Sequence, residues 1–335
     1  MHKPVGIIDT GSNTVLGVVF HWDEWRNSYL CRTLSDGLVI HAGLIGYVED
    51  GKLSDKGLDV LSDALRQIGV FFAEKGVPAE RVSCFATASL RGVRNFPEAA
   101  ERAANEGFTL ELLSGEEEAK CDFAGMLQEM AWMEQDGAGA RFPESGVALD
   151  MGGGSGQVLC FTSREKEELA AFQSFPIGCL ALKKRFVADG LMPTDAELDA
   201  VSQFVCGQIE QIPMIAGIKP DGAEPPAFFA MGGTVKAIVR LFAYMGWETS
   251  HPDFPGADSL SADDLAKALS YFRTEDGRRV ICEREPGRKE TLLTGLVTLL
   301  SICRRVGADR MTVLQGGVRE GYVVRHVNPR EENAE

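Results

Sequence analysis

The feature that most constrains the fold of this chain is a short apolar segment that runs into an aspartate and a glycine-containing loop, and it occurs twice. The first copy comprises residues 5–8 followed by Asp-Thr-Gly-Ser-Asn at 9–13, and the second comprises residues 146–149 followed by Asp-Met-Gly-Gly-Gly-Ser at 150–155. Glycines leave backbone N–H groups accessible to an anion, and an aspartate at a strand end can hold a metal ion directly or through water. The repeat therefore predicts two similar lobes that face one phosphate site.

Two more glycine pairs follow short apolar segments later in the chain. One pair, at 232–233, comes after residues 227–230, and the other, at 316–317, comes after residues 311–314. Each pair leads into a segment that is predicted to be helical. Four glycine loops, each after a strand, predict an α/β fold of two lobes with a phosphate-binding cleft between them.

A helix predicted to open at Ser114 carries three glutamates in its first turn, at 116–118. The helix dipole favours negative charge there, which explains these residues without any function. Alternatively, one of the carboxylates positions an attacking water beside a phosphate. The residues themselves leave both explanations open. The strand predicted at 82–86 ends in small polar residues and Arg91, a position at which α/β folds place ligand sites.

The net charge of −15 argues against a nonspecific nucleic-acid-binding protein, because such proteins need a basic surface. The same charge means that an anionic substrate needs a locally positive site or a bound cation. No apolar run reaches the roughly 18 residues that a membrane span requires. The eight cysteines are scattered without a CxxC pair, and residues 1–4 run directly into a strand without a signal peptide. We therefore expect a reduced, cytoplasmic protein.

Capping signals and apolar spacing also predict individual elements. Residues 5–20 and 146–161 read as hairpins, because β-branched and apolar residues flank each short loop on both sides. Ser54 is a predicted N-cap for a helix that ends at Gly76. Thr194 has capping-box spacing to a glutamate. Residues 289–306 are predicted to form one long apolar helix.

Taken together, these stretches resemble the exopolyphosphatase/guanosine pentaphosphate phosphatase (Ppx/GppA) family, within the sugar kinase, Hsp70 and actin superfamily. The resemblance implies two ribonuclease H-like lobes in the short, two-domain form of the family. It places the first lobe at residues 1–125, with a C-terminal helix at about 318–330 packing back onto it, and the second lobe at 126–317. The matching stretches keep the family's order and are residues 8–14, 86–91, 114–119, 149–155, 174–178, 231–234 and 316–321.

The resemblance also implies a role for each matching residue. Glu118 matches the catalytic glutamate that orients or deprotonates the attacking water, with Glu117 as the next candidate. Asp150 matches the aspartate linked to Mg²⁺, and Gln157 stands at the second metal-ligand position. The residues implied to bind phosphate are Asp9, Gly11, Ser12, Asn13, Arg91, Gly152, Gly153, Gly154, Ser155, Gly232, Gly233 and Thr234.

Three positions depart from the family pattern. Gln157 replaces a glutamate that helps to hold the metal, and a neutral amide is a weaker ligand for a hard cation than a carboxylate. Leu16 and Ala181 each replace an arginine. Four basic residues are candidates to compensate, namely Lys183, Lys184, Lys236 and Arg319.

The expected function is Mg²⁺-dependent hydrolysis of a terminal phosphoanhydride in polyphosphate or in guanosine pentaphosphate (pppGpp), a nucleotide of the stringent response. The alternative, motivated by the three departures, is a low-turnover regulatory protein that binds polyphosphate or a guanosine tetra- or pentaphosphate. A sugar or acetate kinase on the same scaffold is a third alternative, which the stretches at 86–91 and 114–119 disfavour. The resemblance further implies a possible homodimer, while the net charge and the lack of a long apolar run predict neither a nucleic-acid polymer nor a membrane as partner.

Overall fold

Two β-sheets that share one order of strands organise the protein. The chain divides into unit 1, Met1–Gly125 with Val318–Glu335, and unit 2, Met126–Gly317. The division falls inside one long helix, Gly115–Asp136. The structure is a computed structural model that describes residues 2–136, 141–188, 192–212, 215, 226–254 and 256–328.

The sheet of unit 1 has the strand order β3-β2-β1-β7-β8, and β4 also pairs with β2. The first three strands form an antiparallel meander, whereas β7 is parallel to β1 and β8 is parallel to β7. A separate two-stranded ladder joins β5 and β6. The strands are β1 Val5–Thr10, β2 Val15–Asp23, β3 Ser28–Leu30, β4 Gly37–Ile40, β5 Val48–Glu49, β6 Lys52–Leu53, β7 Val82–Ala86 and β8 Leu110–Leu112.

Helices cover both faces of the unit 1 sheet, which explains why β1 is apolar at consecutive positions. Successive side chains of a strand point to opposite faces, so Ile8 packs with helix α1 while Ile7 packs with the C-terminal helix α11. Gly321 lets α11 pack closely on the backbone of helix α4 at Cys121. The helices of this unit are α1 Asp55–Glu74, α2 Ala88–Arg91, α3 Phe96–Asn105, the first part of α4 Gly115–Asp136, α11 Val318–Tyr322 and a π-helical turn, Val323–Val327.

The sheet of unit 2 repeats this order as β11-β10-β9-β12-β14, with β13 added at the edge. Again the first three strands form an antiparallel meander, and the next two run parallel to the first. The strands are β9 Gly146–Met151, β10 Gly156–Ser163, β11 Glu168–Phe175, β12 Ala227–Met231, β13 Asp258–Ser261 and β14 Arg310–Val313.

The core of unit 2 is built around helix α10, which is apolar on all sides until its last turn. It packs against α6 and α8, so residues from Leu292 to Cys303 are buried. A helix that is hydrophobic all round is stable only when it is surrounded in this way. The helices of unit 2 are the remainder of α4, α5 Cys179–Phe186, α6 Asp195–Ile209, α7 Gly233–Met245, α8 Ala262–Phe272, α9 Glu275–Arg284 and α10 Leu292–Val306.

The α/β class and the two lobes of ribonuclease H-like strand order, expected from the sequence, are confirmed. The prediction that a helix starts at residue 289 was wrong, because Pro286–Arg288 form a 3₁₀ turn and α10 begins only after Thr291. The last two residues of the helix expected at about 318–330 lie outside the described residues. Among the helices that are described, none is both long enough and apolar enough to span a membrane.

Candidate active site

The loop between β1 and β2 is closed by a hydrogen bond from Gly11 N–H to the Thr14 carbonyl, at 2.9 Å. The carbonyl of Ser12 accepts from Ile45 N–H at 3.0 Å, and that of Asn13 accepts from Gly43 N–H at 2.9 Å. In the described part of the chain, the N–H groups of Ser12 and Asn13 donate to no protein acceptor. A loop whose carbonyls are satisfied and whose N–H groups are not is suited to an anion.

The loop between β9 and β10 is built in the same way. Gly152 N–H donates to the Ser155 carbonyl at 3.0 Å, and the Gly153 carbonyl accepts from Leu180 N–H at 2.8 Å, in the first turn of helix α5. The N–H groups of Gly153 and Gly154 donate to no acceptor among the described residues. The two loops are therefore equivalent in backbone hydrogen bonding as well as in sequence.

Gly178 explains why helix α5 can start at residue 179. A Cβ at Gly178 would meet the carbonyl oxygen of Gly153 at 2.5 Å and would be closer still to the Gly154 and Ser155 backbone. Only glycine lets the start of the helix reach the loop. Once there, its N–H groups satisfy the loop carbonyls that otherwise lack partners.

Asp150 and Gln157 are direct partners in the antiparallel ladder of β9 and β10. Opposite residues of such a ladder lie on one face of the sheet. The Gln157 side chain is buried, and its Nε2 donates to Ser155 Oγ at 3.0 Å and to Ser174 Oγ at 3.3 Å. Because the amide nitrogen makes these two hydrogen bonds, the amide oxygen Oε1 is the atom of Gln157 that is suited to bind a metal ion.

The glycine pair before helix α7 lies against the same aspartate. Gly232 has φ +94°, and a Cβ there would meet the Met151 carbonyl oxygen at 2.6 Å and the Asp150 carboxylate at a shorter distance. Gly232 therefore leaves the space in which the Asp150 side chain lies. Arg288 lies over Gly233, and the Arg288 guanidinium donates to Thr234 Oγ1 at 3.0 Å.

Thr234 is buried within unit 2, where its hydroxyl lies between Arg288 and the Cys179 thiol, 3.5 Å away. Its predicted contact with phosphate stays a prediction. Arg288, a cation beside the glycine pair, was not predicted from the sequence. Its Pro-Gly-Arg turn at 286–288 carries no signal of where it lies in the fold.

In unit 1, Asp9 accepts a charged hydrogen bond from Arg319, with 3.2 Å between Oδ2 and Nη1. Asp9 faces Leu16 across the β1–β2 ladder, the position at which the family places an arginine. A guanidinium thus reaches the aspartate of the first loop from helix α11. Two of the other basic residues that could compensate for the missing arginines have different partners. Lys183 pairs with Glu290 at 2.8 Å, and Lys236 Nζ donates to the Gln315 carbonyl at 2.5 Å.

Glu118 is a buried carboxylate in the first turn of α4, and it forms an ion pair with Arg91 at 2.5 Å. Arg91 also donates to the Leu113 carbonyl at 3.1 Å, which fixes the guanidinium at the end of helix α2. The sequence predicted both residues for the site, but their contact with each other was not predicted.

Glu117 contacts different residues from those that Glu118 contacts. It accepts from Arg325 at 3.0 and 3.3 Å and lies 2.8 Å from His326 Nε2. Burial by itself raises the pKa of Glu117, but the hydrogen bonds from Arg325 and His326 outweigh it and hold this pKa below its usual value. These contacts distinguish Glu117 from Glu118, although the sequence grouped the two.

The sequence is similar to a known phosphatase family and to several of its members. The Ppx/GppA phosphatase family model matches residues 45–329. Exopolyphosphatase 2 of Mycobacterium tuberculosis is 27% identical over 260 residues, which are 73% of this chain and 75% of that protein. The guanosine-5'-triphosphate,3'-diphosphate pyrophosphatase of Photobacterium profundum is 26% identical over 279 residues, which are 78% of this chain and 49% of that protein.

A solved structure shows the same fold. An exopolyphosphatase from Cytophaga hutchinsonii matches 96% of this chain and 97% of its own chain, with a TM-score of 0.75 and 20% identity. Because the family model covers most of the sequence, this chain belongs to the Ppx/GppA phosphatase family.

Proposed function

We propose that the protein is a Mg²⁺-dependent hydrolase of phosphoanhydrides, which releases terminal phosphate from inorganic polyphosphate or the 5′-γ-phosphate of pppGpp. Membership of the Ppx/GppA family and the named activities of the relatives support this reaction class. The observation that carries the proposal is the loop at 152–155. Its Gly153 and Gly154 N–H groups have no acceptor among the described residues, and Asp150 lies directly before it.

Phosphate binding is assigned to the N–H groups of the two equivalent loops. Ser155 adds a hydroxyl donor, and a hydrogen bond that it accepts from Gln157 leaves the hydroxyl hydrogen available to a ligand. Because Gln157 Nε2 already donates to Ser155 Oγ, the hydroxyl hydrogen is directed to another acceptor, such as a phosphate oxygen. The glycine pair at 232–233 completes the proposed phosphate ligands, with Arg288 as a cation beside them.

Glu118 is assigned to the attacking water. Its carboxylate accepts a hydrogen bond from the water and orients the oxygen in line with the terminal phosphorus. A new bond forms between the water oxygen and the terminal phosphorus, the bond from that phosphorus to the bridging oxygen breaks, and the shortened phosphate chain leaves with the bridging oxygen. The proton that the water loses passes to the Glu118 carboxylate. Arg91 pairs with this carboxylate and holds it in a fixed orientation, because the guanidinium is itself bound to the Leu113 carbonyl.

The donors in unit 2 fit a magnesium ion. Asp150 offers a carboxylate and Gln157 an amide oxygen, and Mg²⁺ usually takes one or two protein carboxylates together with waters and substrate phosphates. When bound, the ion neutralises charge on the phosphoryl oxygens. Such neutralisation matters in a chain with a net charge of −15.

The alternative function, a low-turnover protein that binds polyphosphate or a guanosine nucleotide, is favoured by one observation. Gln157 is held by two serine hydroxyls and brings no charge to the metal position. Calorimetry with the same substrates distinguishes the two, because tight binding without release of phosphate supports the alternative.

The test of the hydrolase is release of inorganic phosphate from polyphosphate and from pppGpp in the presence of Mg²⁺. We expect Glu118→Gln to lower turnover by about 10²- to 10⁴-fold, because it removes the carboxylate that orients the water while keeping the volume of the side chain. Glu116→Gln is the matched control. It lies in the same helical turn and is exposed, and among the described residues it pairs only with Lys120, so it should keep wild-type turnover.

Two outcomes would count against this proposal. Absence of release from both substrates would refute hydrolysis, and equal loss in the two variants would show that Glu118 has no special role. We further propose a cytoplasmic protein, supported by the eight free cysteines. The homodimer stays a prediction.

A further inference from the structure

A cluster of potential metal-binding side chains lies in unit 1 and includes no residue of the loops described above. Glu117 and Cys121 stand four residues apart on helix α4, so both project from one face of the helix. His326 comes from the π-helical turn at the end of the described chain. The ligand atoms of the three residues all lie within 4.8 Å of one another.

The three side chains converge on one oxygen. Glu117 Oε1 lies 2.8 Å from His326 Nε2 and accepts from the Cys121 thiol at 3.8 Å. In a tetrahedral zinc site the ligand atoms are separated by about 3.3–3.8 Å. Movements of about 1 Å or less therefore suffice to place one ion among these atoms.

The cluster is buried on one side and partly exposed to solvent on the other. Cys121, on the inner side, is fully buried. The side chains of Glu117 and His326 are 26% and 34% exposed, so an ion and a water can enter from their side. Two ligands at positions i and i+4 of a helix and a third from another segment, with one open position, are common in zinc sites.

The surrounding charges define the conditions for binding. Arg325 holds both oxygens of Glu117, and it can keep Oε2 while Oε1 binds an ion. Burial, together with the charges of Glu117 and Asp122, raises the pKa of the Cys121 thiol, so the ion must displace the thiol proton. A thiolate and an imidazole prefer Zn²⁺ to Mg²⁺.

We propose that Glu117, Cys121 and His326 form a binding site for Zn²⁺ or a similar transition-metal ion, distinct from the proposed Mg²⁺ site. One proton leaves the thiol when the ion binds, and a water takes the fourth position. The site joins the turn at 323–327 to helix α4 and does not depend on the proposed hydrolysis.

The test uses the full chain freed of metal and titrated with Co²⁺, which replaces Zn²⁺ and is visible by its absorption. We expect one equivalent to give a thiolate-to-cobalt charge-transfer band, which Zn²⁺ abolishes and excess Mg²⁺ does not. Cys121→Ser should lose the band. Cys31→Ser, which changes an exposed cysteine elsewhere in the unit, should retain it.

Because Cys121 is buried, its variant could fail to fold, and His326→Asn provides a second test near the surface. This variant should bind Co²⁺ at least about tenfold more weakly and should lose the rise in thermal unfolding midpoint that Zn²⁺ gives to the wild type. The proposal is overturned if the wild type shows no thiolate band with excess Co²⁺. It is also overturned if a folded Cys121→Ser or His326→Asn protein binds Co²⁺ as the wild type does.

Discussion

Gln157 faces Asp150 across the β9–β10 ladder and uses its amide nitrogen on Ser155 Oγ, 3.0 Å away. In unit 1 the residue opposite Asp9 is Leu16, whose side chain has no polar atom. The two loops therefore share a backbone but differ at the residue opposite the aspartate. In the second loop, this residue influences both the charge at the proposed metal position and the direction of the Ser155 hydroxyl.

Gln157→Glu should strengthen the proposed metal site, because it places a second carboxylate beside Asp150. We expect the Mg²⁺ concentration for half-maximal phosphate release to fall by about tenfold. The KM for substrate should rise, since the Ser155 hydroxyl would then donate to the new carboxylate. Steady-state kinetics at several Mg²⁺ concentrations measure both effects.

Ser174→Ala is the control for that substitution, because it removes one hydrogen bond of Gln157 without adding charge. It should leave the Mg²⁺ dependence unchanged. If Gln157→Glu also leaves it unchanged, residue 157 does not contribute to the metal site.

Gly232→Ala should displace Asp150, because the new Cβ would overlap the aspartate carboxylate and the Met151 carbonyl oxygen. Backbone strain at φ +94° adds about 1–3 kcal/mol. Gly246→Ala is the matched control, because Gly246 also has a positive φ but open space around its Cβ position. It should lose about 1 kcal/mol of stability and keep its activity. Equal activities of the two folded variants would contradict the contact with Asp150.

Arg91→Met should destabilise the protein by about 3 kcal/mol, because it leaves the buried Glu118 carboxylate without its cation. Combining it with Glu118→Gln should recover most of that loss, since the double variant has no uncompensated charge. Urea unfolding of the two single variants and the double variant measures this coupling. Simple addition of the two losses would show that the pair contributes little.

The contacts of Glu117 predict a dependence of stability on pH. A carboxylate whose folded pKa is lowered stabilises the fold above its unfolded pKa, near 4.5, and loses this contribution as the pH falls through the folded value. Glu117→Gln should therefore be less stable than the wild type by about 1 kcal/mol at pH 6. The difference should shrink as the pH falls below about 4.5 and should disappear below the folded pKa of Glu117.

Thermal unfolding in a chelating buffer, from pH 6 to pH 3, measures this difference without any contribution from bound metal. Glu116→Gln serves again as the control, since the ion pair of Glu116 with Lys120 is exposed. A difference that persists unchanged to pH 3 would argue against an ionised Glu117 as the cause.

Local signals in the sequence predicted many elements correctly. The hairpins at 5–20 and 146–161 are present, because a tight loop between two apolar strands is determined by neighbouring residues. The caps at Ser54 and Thr194 are also confirmed, each accepting from a backbone N–H three residues later. Long-range contacts decide other element boundaries. Helix α5 starts at residue 179 because Gly178 packs on a loop more than twenty residues away.

The sequence by itself determined the repeated aspartate–glycine loops, the lobes built on them and the family, because all of these depend on residue types at short, fixed spacings. Only the tertiary structure decided which charges meet. It pairs Glu118 with Arg91, Asp9 with Arg319, and Glu117 with the residues 325 and 326. Adjacent residues of a helix point about 100° apart, so Glu117 and Glu118, neighbours in the sequence, reach different surroundings. For this reason one is a candidate for catalysis and the other for a separate metal site.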